Sequence, residues 1–183
     1  MKISRLLYTT AVISILFACN NAPSENATEE NVEETSEKKE VDLSGMEEID
    51  LSEYDLLATM LVPDESKGNR EIGFTEAGNI LIKVGSRYGI EIVPFGMTVA
   101  EKKEELAGGL VYNIGFIEET ENSILYSKTI KDSEIEAETH FFYSAEINGE
   151  LIEIKSLDGS PFSSGMIKKM LASAKSIKGK SNV

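Results

Sequence analysis

Cys19 is the only cysteine and His140 the only histidine in a chain of 183 residues. With one cysteine an internal disulfide cannot form, and a cysteine-rich zinc site is excluded. With one histidine a multi-histidine metal site is excluded too. His140 has neither a second histidine nor a spare thiol to act with, so it reads as a structural residue at the surface or half-buried. Asp64, Glu65 and Asp158 are hard oxygen ligands of the kind calcium takes. Neither segment carries an EF-hand pattern, and polar loops between strands have the same composition. Ser163-Ser164 lies in no G-x-S-x-G elbow. Gly85 and Gly108-Gly109 lack the spacing of a phosphate-cradling loop. Glu104-Glu105 and Glu118-Glu119 are neighbours on expected solvent faces, whereas a glycosidase needs two buried carboxylates at a defined separation. No catalytic residue, metal site or cofactor is assigned.

The clearest spacing is at the N-terminus. Lys2 and Arg5 make a short positive start, and Leu6 to Ala18 (LLYTTAVISILFA) then runs without a charge. Such a run is too short to span a hydrocarbon core, which takes about 20 helical residues. Length and flank fit the apolar centre of a secretory signal over residues 1–18. Leu16-Phe17-Ala18-Cys19 closes it. This tetrapeptide resembles the lipobox of bacterial lipoproteins. Leu16 and Ala18 match the family pattern, and Phe17 departs from it, since a smaller residue is commoner there. The resemblance implies a diacylglycerol on the Cys19 thiol, cleavage just before Cys19 and acylation of the new amino group. Ordinary signal-peptidase cleavage fits less well, because Leu16 is large where a small residue is preferred. Two or more acyl chains hold a protein at a membrane stably, and one does so marginally.

The formal net charge is −14. Residues 20–53 hold twelve Asp or Glu and two Lys, so most of the excess lies outside the C-terminal part. This balance argues against nucleic-acid binding, which needs a basic face to neutralise phosphates. Asn20 to Glu40 has few apolar residues and no aromatic ones, too little to offset the entropy of ordering. Residues 19–51 are therefore expected to be a lipidated cysteine followed by a disordered acidic tether. Leu43, Met46, Ile49 and Leu51 within it could dock a short helix or an irregular strand. The folded domain is placed at 52–178, with 179–183 as a flexible end.

Within the domain, Tyr54 to Pro63 reads as a strand and Glu71 to Phe74 as a short edge strand. Asn79 to Val84 and Tyr88 to Val93 form a hairpin. Thr98 and Glu101 make a capping box for a helix over 99–107, ended by Gly108-Gly109. Leu110 to Ile117 and Ser123 to Ile130 are strands around a polar turn at 118–122. Thr139 to Ile147 and Glu150 to Lys155 flank Asn148-Gly149, the strongest two-residue hairpin signal. After Asp158-Gly159-Ser160-Pro161, Ser163 or Ser164 caps a closing helix. Its apolar positions Met166, Ile167, Met170, Leu171, Ala174 and Ile177 recur at helical spacing. The aromatics Tyr88, Phe95, Tyr112, Phe116, Tyr126, Phe141, Phe142 and Tyr143 read mostly as core.

The fold class is therefore α+β, an antiparallel sheet of hairpins covered by two helices. The opening strand ending at Pro63, the helix at 98–107, the Asn148-Gly149 hairpin and the closing MIKKMLASAKSI helix resemble the Mog1/PsbP-like α/β/α sandwich over about residues 52–178. That resemblance implies a non-enzymatic accessory or assembly factor that binds protein partners. A cystatin-like or lipocalin-like body is the competing architecture.

The sequence thus points to a cell-envelope lipoprotein. It would be anchored by lipid at Cys19, facing the periplasm or the cell surface, with a non-catalytic module that binds an envelope protein partner. A small-ligand or lipid carrier with a pocket between sheet and helix is the alternative, and an unrecognised hydrolase the third reading.

Overall fold

The computed structural model describes residues 41–160 and 162–181. Among these residues ten strands form two antiparallel sheets. The larger has seven strands in the order β3-β4-β5-β9-β8-β7-β6, namely Arg70–Phe74, Ile80–Val84, Tyr88–Pro94, Glu150–Ser156, Glu138–Ile147, Ser123–Ile130 and Tyr112–Glu119. The smaller has the order β1-β2-β10, with β1 at Met46–Asp50, β2 at Ala58–Pro63 and β10 at Lys178–Gly179. Helix α1 spans Val99–Gly108 and α2 spans Ser164–Ala174.

The alternation along the central strands sorts residues to two faces. Register places Phe142 opposite Ile124 and Phe141 opposite Leu125. Phe141 and Leu125 join Ile90, Ile92, Ile152 and Ile154 in the main core, which α2 and the small sheet cover. Phe142, Ile124 and Tyr126 form a smaller core under α1 with Val99 and Leu106. The sheet is thus covered on both faces, as hairpin runs and two amphipathic helices require.

Two turns depend on their glycines. Asn148 and Gly149 both take positive φ, 54° and 85°, the conformation of a tight hairpin turn. Gly96 accommodates the close approach of β9, because a Cβ there would lie 2.4 Å from the Glu153 amide nitrogen. Just before it, Phe95 takes φ 56° and is 81% exposed, so this aromatic is not core.

The folded body starts before Ser52. β1 pairs along its whole length with β2, Met46 against Pro63 through Asp50 against Thr59. Ile49 and Leu51 are buried in the main core, together with residues of β2 and α2. The body also extends past 178. Gly179 pairs with Ala58, and the Lys180 amide donates to the Leu57 carbonyl at 2.9 Å. Residues 54–57 precede β2 rather than belonging to it, and a short 3-10 turn occupies Ser52–Tyr54.

β10 is only two residues long, and two serines of the α2 end do the work of its missing length. The Leu61 amide donates to Ser176 Oγ at 2.8 Å, and the Ser173 hydroxyl donates to the Leu61 carbonyl. Ser173 Oγ also meets the buried Tyr88 hydroxyl at 2.7 Å. A polar bridge thereby ties both sheets to α2, with each buried group satisfied.

Candidate functional site

Among the described residues, β6 ends the seven-stranded sheet and pairs with β7 alone. Gly108-Gly109 ends α1, and the chain then enters β6 through Leu110 and Val111, which are 87% and 57% exposed. Tyr112, Phe116 and Ile117 follow at 37%, 44% and 51%. The first six positions of β6, Tyr112 to Ile117, contain no charge. Sheet edges are ordinarily blunted by charges, prolines or covering segments. Here lysines from elsewhere lie over the rings instead. Lys103 Nζ is 5.2 Å from the Phe116 ring and Lys128 Nζ is 4.3 Å from the Tyr112 ring, both within cation–π range.

Two further features shape this edge. Gly115 lies against Ser127, whose hydroxyl donates to the Gly115 carbonyl at 3.2 Å, and an added Cβ would fall 2.7 Å from that hydroxyl oxygen. A register shift between Phe116 and Glu118 makes Ile117 the extra residue of a β-bulge. The strand runs on to Glu119, so the turn is shorter than the 118–122 expected from its polarity.

Beside Tyr112 lies a cleft of about 250 Å³ lined by Lys128, Ile130, Ile135, Glu138 and Asp158 among others. Lys128 reaches Asp158 at 3.5 Å. Behind it the structure brings together residues that the sequence left apart. His140 Nε2 is 3.3 Å from Glu138 Oε2, His140 Nδ1 is 3.1 Å from Ser156 Oγ, and the ring stacks on Tyr126 at 5.6 Å. His140 is 2% exposed, so it is fully buried rather than at the surface or half-buried. Burial pushes the Tyr126 phenol well above its ordinary value, and the charges of Asp158, Glu105 and Glu153 add to this.

A serine, a histidine and a carboxylate in line invite comparison with a hydrolytic triad. The order from solvent runs the wrong way. Glu138 is at the open end, its side chain 48% exposed, while Ser156 is 3% exposed at the closed end. A substrate entering the cleft would meet the carboxylate first, and a nucleophile must be reachable. The line serves to satisfy a buried imidazole. A second polar group lies on β9, where Glu153, 3% exposed, holds Lys155 at 3.2 Å. Burial pulls the Lys155 ammonium down, but Glu153 and Glu91 outweigh it, and its pKa is raised.

Among the described residues no three of His, Cys, Asp and Glu are grouped to hold a metal. Asp64 instead caps the 3-10 turn at Glu65–Lys67, accepting from the Ser66 amide. Leu16, Phe17, Ala18 and Cys19 lie outside the described residues. Among the described residues no helix is long and apolar enough to cross a membrane.

The open edge was missed in the sequence because LVYNIGFI is apolar on both faces, which normally marks an interior strand. No family model, no curated protein and no solved structure matches this chain.

Proposed function

We propose that this chain is a lipid-anchored envelope protein whose domain binds a protein partner without chemistry, by adding an extended segment of that partner to β6. The observation that carries the reading is the β6 edge, whose first six residues are uncharged and include the exposed Tyr112, Phe116 and Ile117. Strand addition draws affinity from main-chain hydrogen bonds and specificity from alternate side chains. The Leu16-Phe17-Ala18-Cys19 motif and the acidic stretch that follows support a body held off a membrane.

The test has two arms. A photo-cross-linking residue at Phe116 or Ile117 in the full chain should capture one envelope protein in intact cells. The same residue at Glu71, on β3 at the opposite end of the sheet, should not. Equal products from both positions, or none from either, would refute the binding edge. Separately, Cys19→Ala should release the chain from membranes, and a variant as firmly bound as wild type would refute the anchor.

A further inference from the structure

A second recess lies away from β6, where the small sheet meets α2. Its volume is about 160 Å³. Pro63, Val84 and Met166 contribute apolar walls, and the Tyr88 ring backs them, its hydroxyl turned to Ser173. The opening is lined by three cations from three separate elements: Lys67 after β2, Arg87 in the β4–β5 turn and Lys169 on α2.

Cations elsewhere in the domain are mostly engaged by carboxylates. Arg70 pairs with Glu47, Lys103 with Glu119, Lys128 with Asp158, Lys155 with Glu153, Lys168 with Glu118 and Lys180 with Asp50. None of Lys67, Arg87 and Lys169 makes an ion pair among the described residues, in a chain of net charge −14. Asp64 and Asp42 feel Lys67 and Lys169 through space, but each is held first by a serine, Ser66 and Ser44 respectively. Three like charges thus line an apolar recess with no carboxylate in direct contact among the described residues, and Asp64 and Asp42 act on two of them only through space. The recess holds about five waters' worth of space, since a water's share of liquid volume is about 30 Å³. That is too little for a whole lipid and enough for the head and first methylenes of an amphiphile.

We propose that this recess binds an amphiphilic anion, a carboxylate or phosphate head ringed by Lys67, Arg87 and Lys169 with its short apolar body on Pro63, Val84 and Met166. Arg87 supplies the planar fork that matches two oxygens of such a head, and the lysines supply point charges. A bare inorganic anion would leave the apolar walls wet, and a neutral alcohol would leave the cations unanswered. The site is separate from the β6 edge and stands or falls independently of it.

The test uses the full chain carrying Cys19→Ala, which removes the need for detergent. Octanoate, octyl phosphate, octanol and acetate are titrated by calorimetry while the Met166 methyl resonance is followed. Octanoate and octyl phosphate should saturate and shift Met166, with octanol and acetate weaker by at least about tenfold. The double variant Arg87→Gln with Lys169→Gln should weaken octanoate by at least about tenfold and leave octanol unchanged. Both substitutions are at the recess opening, and an unchanged thermal midpoint shows that the fold is kept. Octanoate affinity equal to that of octanol, or undiminished in the double variant, would overturn the proposal, as would no saturable binding. Vesicles of phosphatidylglycerol then distinguish the source. Arg87-dependent sedimentation with them, absent for phosphatidylcholine, assigns the head to a membrane lipid. Octanoate binding without sedimentation assigns it to a soluble anion.

Discussion

Glu118 and Glu119 are neighbours in the chain, yet they pair across opposite faces of the sheet. Glu118 meets Lys168 of α2 at 3.0 Å, and Glu119 meets Lys103 of α1 at 2.7 Å. The bulge at Ile117 sets this arrangement. It places Glu118 opposite Leu125 on the α2 face and Glu119 opposite Ile124 on the α1 face. The far end of the terminal strand is thus fastened to both covering helices while its outer edge stays open. Each pair is exposed, so each contributes about 0–1 kcal/mol. The double variant Lys103→Ala with Lys168→Ala should therefore barely move global stability. It should speed amide exchange in β6 specifically, because local opening draws on few other contacts there. Uniform exchange across the sheet would show that the two pairs do not fasten this strand.

Two phenylalanines on neighbouring parts of the sheet should behave in opposite ways. Phe141 is fully buried in the main core, and Phe141→Ala should cost roughly 3–5 kcal/mol by leaving a cavity. That is a large share of the roughly 5–15 kcal/mol a domain usually has. Phe116 is 44% exposed. Phe116→Ser forfeits the Lys103 contact and little else, an expected change of about 0.5–1 kcal/mol. Urea unfolding of both variants, with cross-linking at Ile117 in the second, separates packing from partner binding. A Phe116→Ser variant as unstable as Phe141→Ala would mean that the ring is core after all.

The elements that read clearly in the sequence are those fixed by local chemistry. Asn148-Gly149 fixes its hairpin because both residues tolerate positive φ, and Thr98 with Glu101 fixes the α1 start because their side chains reach the free amides. What did not read is what depends on distant pairing. β1 has one buried residue in five and a sequence, MEEID, that does not alternate as a strand should; only β2 makes it one. β10 exists only because Lys178 and Gly179 arrive beside Thr59 and Ala58. The same limit applied to the cationic recess and to the buried histidine. Lys67, Arg87 and Lys169 are far apart along the chain, and nothing local marks them as neighbours. His140 looked unpartnered because Ser156 reaches it only through the β8–β9 register.

The capping box makes a pH-dependent prediction at the α1 start. The Thr98 amide and hydroxyl both donate to Glu101 Oε2, at 2.7 and 2.8 Å, and the Glu101 amide donates back to Thr98 Oγ1 at 3.3 Å. The backbone hydrogen bond from Thr98, followed by the one from its hydroxyl, lowers the Glu101 carboxyl below its ordinary 4.5. A depressed carboxylate stabilises the fold fully above that ordinary value, and the contribution disappears as pH falls through the lowered one. Carbon-detected titration should therefore show Glu101 protonating below the ordinary glutamate value. Thr98→Ala should return it toward that ordinary value and cost about 1 kcal/mol through loss of the cap. A wild-type Glu101 that titrates at the ordinary value would mean that the box is not formed in solution.

At the alkaline end the relevant group is Tyr88. It is fully buried, and burial raises its phenol well above the ordinary 10.0, with the Ser173 hydrogen bond only partly opposing this. In the unfolded chain the phenol loses its proton near 10, while in the folded chain it keeps it. Across that window the folded state binds the proton that the unfolded state has released, so stability falls as pH rises. Tyr126, raised chiefly by burial, acts in the same direction. Tyr88→Phe should have two separable effects. At neutral pH it should cost about 1 kcal/mol, because the bond to Ser173 is lost while Ser173 still holds the Leu61 carbonyl. Between about pH 9 and pH 11 its thermal midpoint should fall less steeply than that of wild type, since one of the two buried phenols is gone. Parallel slopes for the two proteins would mean that Tyr88 ionises without unfolding, and that the polar bridge between β5 and α2 is open to solvent.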